Sequence, residues 1–92
     1  TDAQDTIELP VFGLTLTRWV PEGWYVIGDN YAGTPRVSVA LAPFAFVTMD
    51  IPRGGVNVSY SAHGNDVDGA CRTILAEMTP DDVAAIRALG ER

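Results

Sequence analysis

The fold is decided where Val56-Asn57-Val58-Ser59-Tyr60 gives way to Asn65-Asp66-Val67-Asp68-Gly69-Ala70-Cys71-Arg72-Thr73-Ile74-Leu75-Ala76-Glu77-Met78. In the first run apolar side chains return at every second position, the period of a strand with one buried face. In the second, Val67, Ala70, Cys71, Ile74, Leu75 and Met78 stand at i, i+3, i+4, i+7, i+8 and i+11, a full apolar stripe of a helix. Asn65 or Asp66 is placed to cap that helix, and early acids suit its positive end. The change of period near residue 65 divides the chain into strands before and helices after.

Outward from that point, both arms follow the same logic. Towards the C-terminus, Thr79 reads as the N-cap of a second helix with Pro80 at its first position. Met78 and Val83 form a hydrophobic staple, Val83, Ile86 and Leu89 face inward, and Gly90 ends the helix. Towards the N-terminus, Pro52-Arg53-Gly54-Gly55 is turn chemistry, and Phe44 to Ile51 reads as a largely apolar strand. Pro43 separates it from the alternating run Arg36 to Leu41, with Val37, Val39 and Leu41 inward, and Gly28 to Pro35 is a loop by composition. Trp24 to Ile27 pairs with the segment from Val11 as a hairpin about Pro21-Glu22-Gly23, in which Leu14 and Leu16 share one face and Thr15, Thr17 and Trp19 the other. Residues 1–5 are polar without period and read as a flexible N-terminus. The expected fold is therefore α+β: an antiparallel β-meander of four to five strands followed by two C-terminal helices packed on one sheet face, forming a single domain over 6–92.

Composition narrows the chemistry. The 92 residues, 47% apolar and 20% charged, suffice for one core. No apolar run reaches the ~20 residues of a membrane-spanning helix, so no membrane partner is expected. Twelve acids stand against six arginines, a formal charge of −6. Arg18, Arg36, Arg53, Arg72, Arg87 and Arg92 are scattered singly, which argues against direct nucleic-acid binding. Lysine is missing altogether, and with it Schiff-base chemistry and any phosphate-gripping P-loop lysine. Lysine-free, alanine- and glycine-rich usage points to a high-GC coding origin. A single cysteine forms no internal disulfide and implies no oxidising compartment. Removal of an initiator methionine before Thr1 would give this start, as would cleavage of a leader; the expectation is a cytoplasmic protein.

Several motif fragments fail on their own terms. Ser61, His63 and Asp66 are neighbours in what reads as a strand-to-helix loop, whereas the members of a catalytic triad usually come from separated segments. Cys71 with His63 would make a nucleophile and base, but Cys71 lies on the apolar helix stripe, where a thiol behaves as a small hydrophobe. One cysteine and one histidine fall short of a zinc site. Gly64 to Gly69 faintly resembles the start of a calcium loop, but the first position is Gly64 instead of aspartate and the twelfth would be Leu75 instead of glutamate. Gly28 to Thr34 has the outline of a phosphate loop without its lysine, and Arg53-Gly54-Gly55 is a turn. No catalytic residue, cofactor or metal site is expected.

The aromatic residues say more. One helical layer covers one sheet face, so alternation turns some of the eight rings to the other face. Trp19 should point outward with Thr15 and Thr17, and one of Trp24 and Tyr25 must do the same. The loop bearing Tyr31, with Asp29, Asn30 and Arg36 nearby, is the next binding surface. Trp19, Trp24, Tyr25, Tyr31 and Arg36 are accordingly the candidate interface. The function expected is a non-enzymatic protein–protein interaction module, of accessory, regulatory, inhibitory, viral or structural kind. It would bind a protein partner or itself through an aromatic sheet face or a free strand edge, with a homodimer expected. The alternatives are an acidic mimic of nucleic acid and a small ligand-binding or enzymatic domain using the His63 loop.

Overall fold

Alternation along the chain produces a sheet with two unlike faces. The structure is a computed structural model that describes residues 5–18 and 23–91. Its described residues form six strands: β1 (Asp5–Leu9), β2 (Leu14–Arg18), β3 (Tyr25–Gly28), β4 (Arg36–Ala40), β5 (Ala45–Arg53) and β6 (Val56–Gly64). Every neighbouring pair is antiparallel and the spatial order is the chain order, a simple meander. Two helices follow, α1 (Val67–Glu77) and α2 (Pro80–Arg87), with a closing 3-10 turn over Ala88–Glu91. The α+β meander with two C-terminal helices is thus present, with six strands in place of four to five.

The additional strand is β1. Asp5, expected at the end of a loose stretch, is paired with Arg18 at the start of the sheet, and Ile7 and Leu9 continue the inward row. β6 also runs further than its composition suggests, through Ser61, Ala62, His63 and Gly64. His63 therefore lies on a strand and not in a loop. The expected hairpin turn at residues 21–22, and Trp19, lie outside the described residues.

One face carries the core. Leu14, Leu16, Val37, Val39, Val47 and Met49 are all buried at 1% exposure or less, and Ala70, Cys71 and Ile74 of α1 meet them with Ile86 of α2. Burying each large aliphatic side chain is worth ~1.5–3 kcal/mol. α1 lies on β5 and β6 and reaches β1, while α2 lies on β5 and the closing turn on β2. Both caps form as the residues dictate: the Asp66 carboxylate accepts from the Gly69 N–H at 2.7 Å, and the Thr79 hydroxyl from the Asp82 N–H at 3.2 Å. α2 ends at Arg87, and Leu89 reaches the core from the 3-10 turn that follows.

Among the described residues Asp82 is the buried exception to an apolar core, 1% exposed. Its carboxylate accepts hydrogen bonds from the Arg53 guanidinium at the end of β5 and from the Tyr60 hydroxyl on β6. A carboxylate taken out of water needs such partners, and here they tie the β5–β6 hairpin to the first turn of α2.

Candidate interaction face

The helices leave the other face of the sheet open. Side chains opposite the core rows form cross-strand rows on it: Thr6, Thr17, Val26, Ser38, Thr48 and Ser61 follow one another from β1 to β6. One residue pair along, Arg36 on β4 lies opposite Asp50 on β5, and Asp50 lies opposite Ser59 on β6, whose hydroxyl donates to the Asp50 carboxylate. At the other end Ala40, Phe46 and His63 are in register, and the Phe46 and His63 rings lie 4.4 Å apart at 35°. Trp24, just before β3, adds its ring to that end and is 57% exposed.

Small side chains between large ones make a depression. Ser38 and Ala40 floor a hollow of about 400 Å3 bounded by Trp24, Phe46, Thr48, Arg36 and Asp50. From Ala40 to Arg36 it spans four residue steps of β4, about 13 Å at the rise of a strand. It is apolar and aromatic at the Trp24 end and carries a cation and an anion at the other. That layout suits an extended or loop segment of another protein, with an apolar anchor in the hollow and polar groups over Arg36 and Asp50.

The structure divides the candidate residues. Of the pair Trp24 and Tyr25, Trp24 is the outward ring. Tyr25 turns into the core at 8% exposure and holds the Arg18 guanidinium 5.2 Å from its ring centre, so it is corrected from an interface residue to a core residue. Arg36 lies on the open face beside the hollow. Tyr31 is fully exposed on the 3-10 turn Asn30–Ala32 and does not line the hollow. Asp29 fixes that turn by accepting from the Tyr31 N–H at 2.9 Å, while Thr34 donates to the Asp29 carbonyl at 2.8 Å. Trp19 lies outside the described residues. Phe46 and His63 are additions; the signal for them was their parity with Ala40, readable only once the strands are in register.

The rejected chemistries can be placed as well. Ser61 and His63 share the open face of β6, but Asp66 caps α1 and bonds Gly69, so the three do not assemble. Cys71 is fully buried, and burial, with a smaller contribution from the Asp68 charge, pushes its thiol up to about 11. It is poorly suited to nucleophilic work. Among the described residues no group of three or more His, Cys, Asp or Glu side chains could hold a metal ion. Five of the acids serve local structure: Asp5 pairs with Arg18, Asp68 with Arg72, Asp82 with Arg53, and Asp29 and Asp66 are caps. Among the described residues no helix is long and apolar enough to cross a membrane. No protein-family model matches the chain, and neither does a curated protein or a solved structure.

Proposed function

We propose that this domain is a non-enzymatic interaction module that docks a partner protein on its uncovered sheet face, anchored by Trp24. The observation that carries the reading is an exposed tryptophan at the rim of an apolar hollow, on the face that the helices leave bare. A tryptophan left in water beside a depression forgoes a large burial energy that a partner can recover, which is why such rings dominate binding hot spots. The tilted Phe46–His63 ring pair extends the apolar end, and Arg36 with Asp50 supplies orientation.

The test is affinity capture with the 92-residue chain, run in parallel with Trp24→Ala and with Arg72→Ala on the helical layer. A protein retained by the wild type and the Arg72 variant, but lost with Trp24→Ala, is then titrated as a purified pair by calorimetry. Trp24→Ala and the hollow-filling Ala40→Trp should each weaken binding at least tenfold, the range of a hot-spot residue. Equal affinity of all four chains, or the absence of any Trp24-dependent partner, overturns the proposal.

A further inference from the structure

The two edges of the sheet are unlike. β1 is five residues long and carries Asp5 and Glu8, the charged guard that ordinarily keeps an edge from pairing with another chain. β6 is nine residues long and carries no acid, arginine or proline: Val-Asn-Val-Ser-Tyr-Ser-Ala-His-Gly. It pairs with β5 in an unbroken register from Arg53–Val56 to Ala45–Gly64, so no bulge twists it away. In a chain of net charge −6, a nine-residue edge without a single acid is the exception.

The backbone groups this edge presents can be named. Gly54 and Gly55 both have positive φ, +59° and +89°, the signature of a two-residue type I′ hairpin turn. Such a turn makes Arg53 and Val56 the closing hydrogen-bonded pair. By the two-residue period, Val56, Val58, Tyr60, Ala62 and Gly64 spend their N–H and C=O groups on β5. The same groups of Asn57, Ser59, Ser61 and His63 point away from the sheet, and no described strand lies beyond them. The core is unfinished at the same place: its rows are fully buried on β4 and β5, yet Val58, Tyr60 and Ala62 are only half-buried and Val56 is 67% exposed.

We infer that β6 pairs antiparallel with β6 of a second copy of this chain, joining two six-stranded sheets into one about a twofold axis through Tyr60. This register overlaps all nine residues. It sets Asn57 opposite His63 of the second copy and Ser59 opposite its Ser61, and these outward-facing pairs exchange about eight backbone hydrogen bonds. Val58 then lies beside the second copy's Ala62, which carries the apolar rows across the junction. The pairing is self-complementary, brings no acid against acid, and closes at two copies, whereas β1-to-β6 pairing would run on without end. It uses the edge and leaves the Trp24 hollow free, so it stands apart from the docking reading above.

Sedimentation equilibrium of the 92-residue chain should give a mass that rises from the 9.9 kDa of one chain to twice that value between micromolar and millimolar concentration. Ser59→Lys combined with Ser61→Lys should return it to a single chain mass, because like charges then oppose each other across the axis. Amide exchange read by NMR on the wild-type chain gives a second, variant-free measurement. The Ser59 and Ser61 amides should gain at least tenfold protection as concentration rises, while the Thr6 and Glu8 amides at the guarded edge should not change. A single chain mass throughout, a dimer that survives both lysines, or concentration-independent exchange at Ser59 and Ser61 overturns the inference.

Discussion

Gly28 shows how far one residue can constrain this fold. The chain leaves β3 there at φ +92°, and a Cβ placed on it would lie 1.9 Å from the carbonyl oxygen of Pro35, where the loop returns to β4. The nearest atoms, of Pro35 and Arg36, are all backbone, so no rotamer relieves the clash. Gly28→Ala should cost about 3 kcal/mol or more in denaturant unfolding. Gly33 is the control: it also has positive φ, +76°, but a Cβ there meets nothing within 4 Å, so Gly33→Ala should cost only the ~1–2 kcal/mol of a left-handed conformation. Cys71 makes a second residue-level prediction. Its thiol ionises near pH 9 in the unfolded chain and about 11 in the folded one. Between those values the unfolded state binds fewer protons, so stability falls as pH rises from about 9 towards 11 and is unaffected by this group below that window. Urea unfolding at pH 8 and pH 10.5 should show a steeper loss for the wild type than for Cys71→Ala, and a thiol reagent should label native Cys71 slowly.

Elements are joined through their ends, and the corner between α1 and α2 is the clearest case. Thr79→Ala should destabilise by roughly 0.5–2 kcal/mol, because the Asp82 N–H then loses its acceptor at the start of α2. An unchanged unfolding midpoint would contradict this corner. Tyr60→Phe should cost on the order of 1.5–3 kcal/mol, the range of a hydrogen bond to a charged group, since it removes a donor from the buried Asp82 carboxylate. Arg53→Ala should cost less: its guanidinium is half exposed and water can replace part of what it gives. The caps and apolar stripes of α1 and α2 were legible because helical signals are local, contained within a few turns of sequence. The alternation of β2, β4 and β5 was legible for the same reason. β1 was not, since Ile7 and Leu9 give only two beats of alternation amid Asp5, Thr6 and Glu8, and its partner β2 decides its state. The end of β6 was hidden by Ser61, His63 and Gly64, residues of loop composition held extended by pairing with β5. Gly64 is required there for a second reason: a Cβ would come within 2.7 Å of the Ala70 nitrogen as the chain turns into α1. Pro52 belongs by composition to the turn Pro52-Arg53-Gly54-Gly55, yet it sits in β5 opposite Asn57, at a position whose nitrogen faces the side where β4 has already ended.

At the scale of the whole molecule, one layer of helices on one side of a six-stranded sheet divides every strand into residues that hold the fold and residues left for other work. The division explains why the candidate site was half legible. Parity placed one of Trp24 and Tyr25 outward from sequence, but the meeting of Trp24 with Ala40, Phe46 and His63 depends on register across β3 to β6, which no local pattern records. It also makes a quantitative demand on adjacent residues. Met49 and Thr48 are neighbours on β5; Met49 is fully buried under the helices, whereas Thr48 lies on the open face beside the hollow. Met49→Ala removes packed methylenes and leaves a cavity, and should cost about 2–5 kcal/mol. Thr48→Ala removes groups that touch water and should stay within about 0.5 kcal/mol. Val39→Ala and Ser38→Ala on β4 should repeat the contrast, with Val39 buried and Ser38 on the floor of the hollow. Chemical denaturation of the four variants at a dilute, fixed protein concentration measures both pairs. Costs that alternate along each strand would leave the open face free of any role in stability, so that its tryptophan and its small-residue floor answer to binding. Comparable costs on both faces would mean the open face is covered in the folded protein, and the docking reading would fall with it.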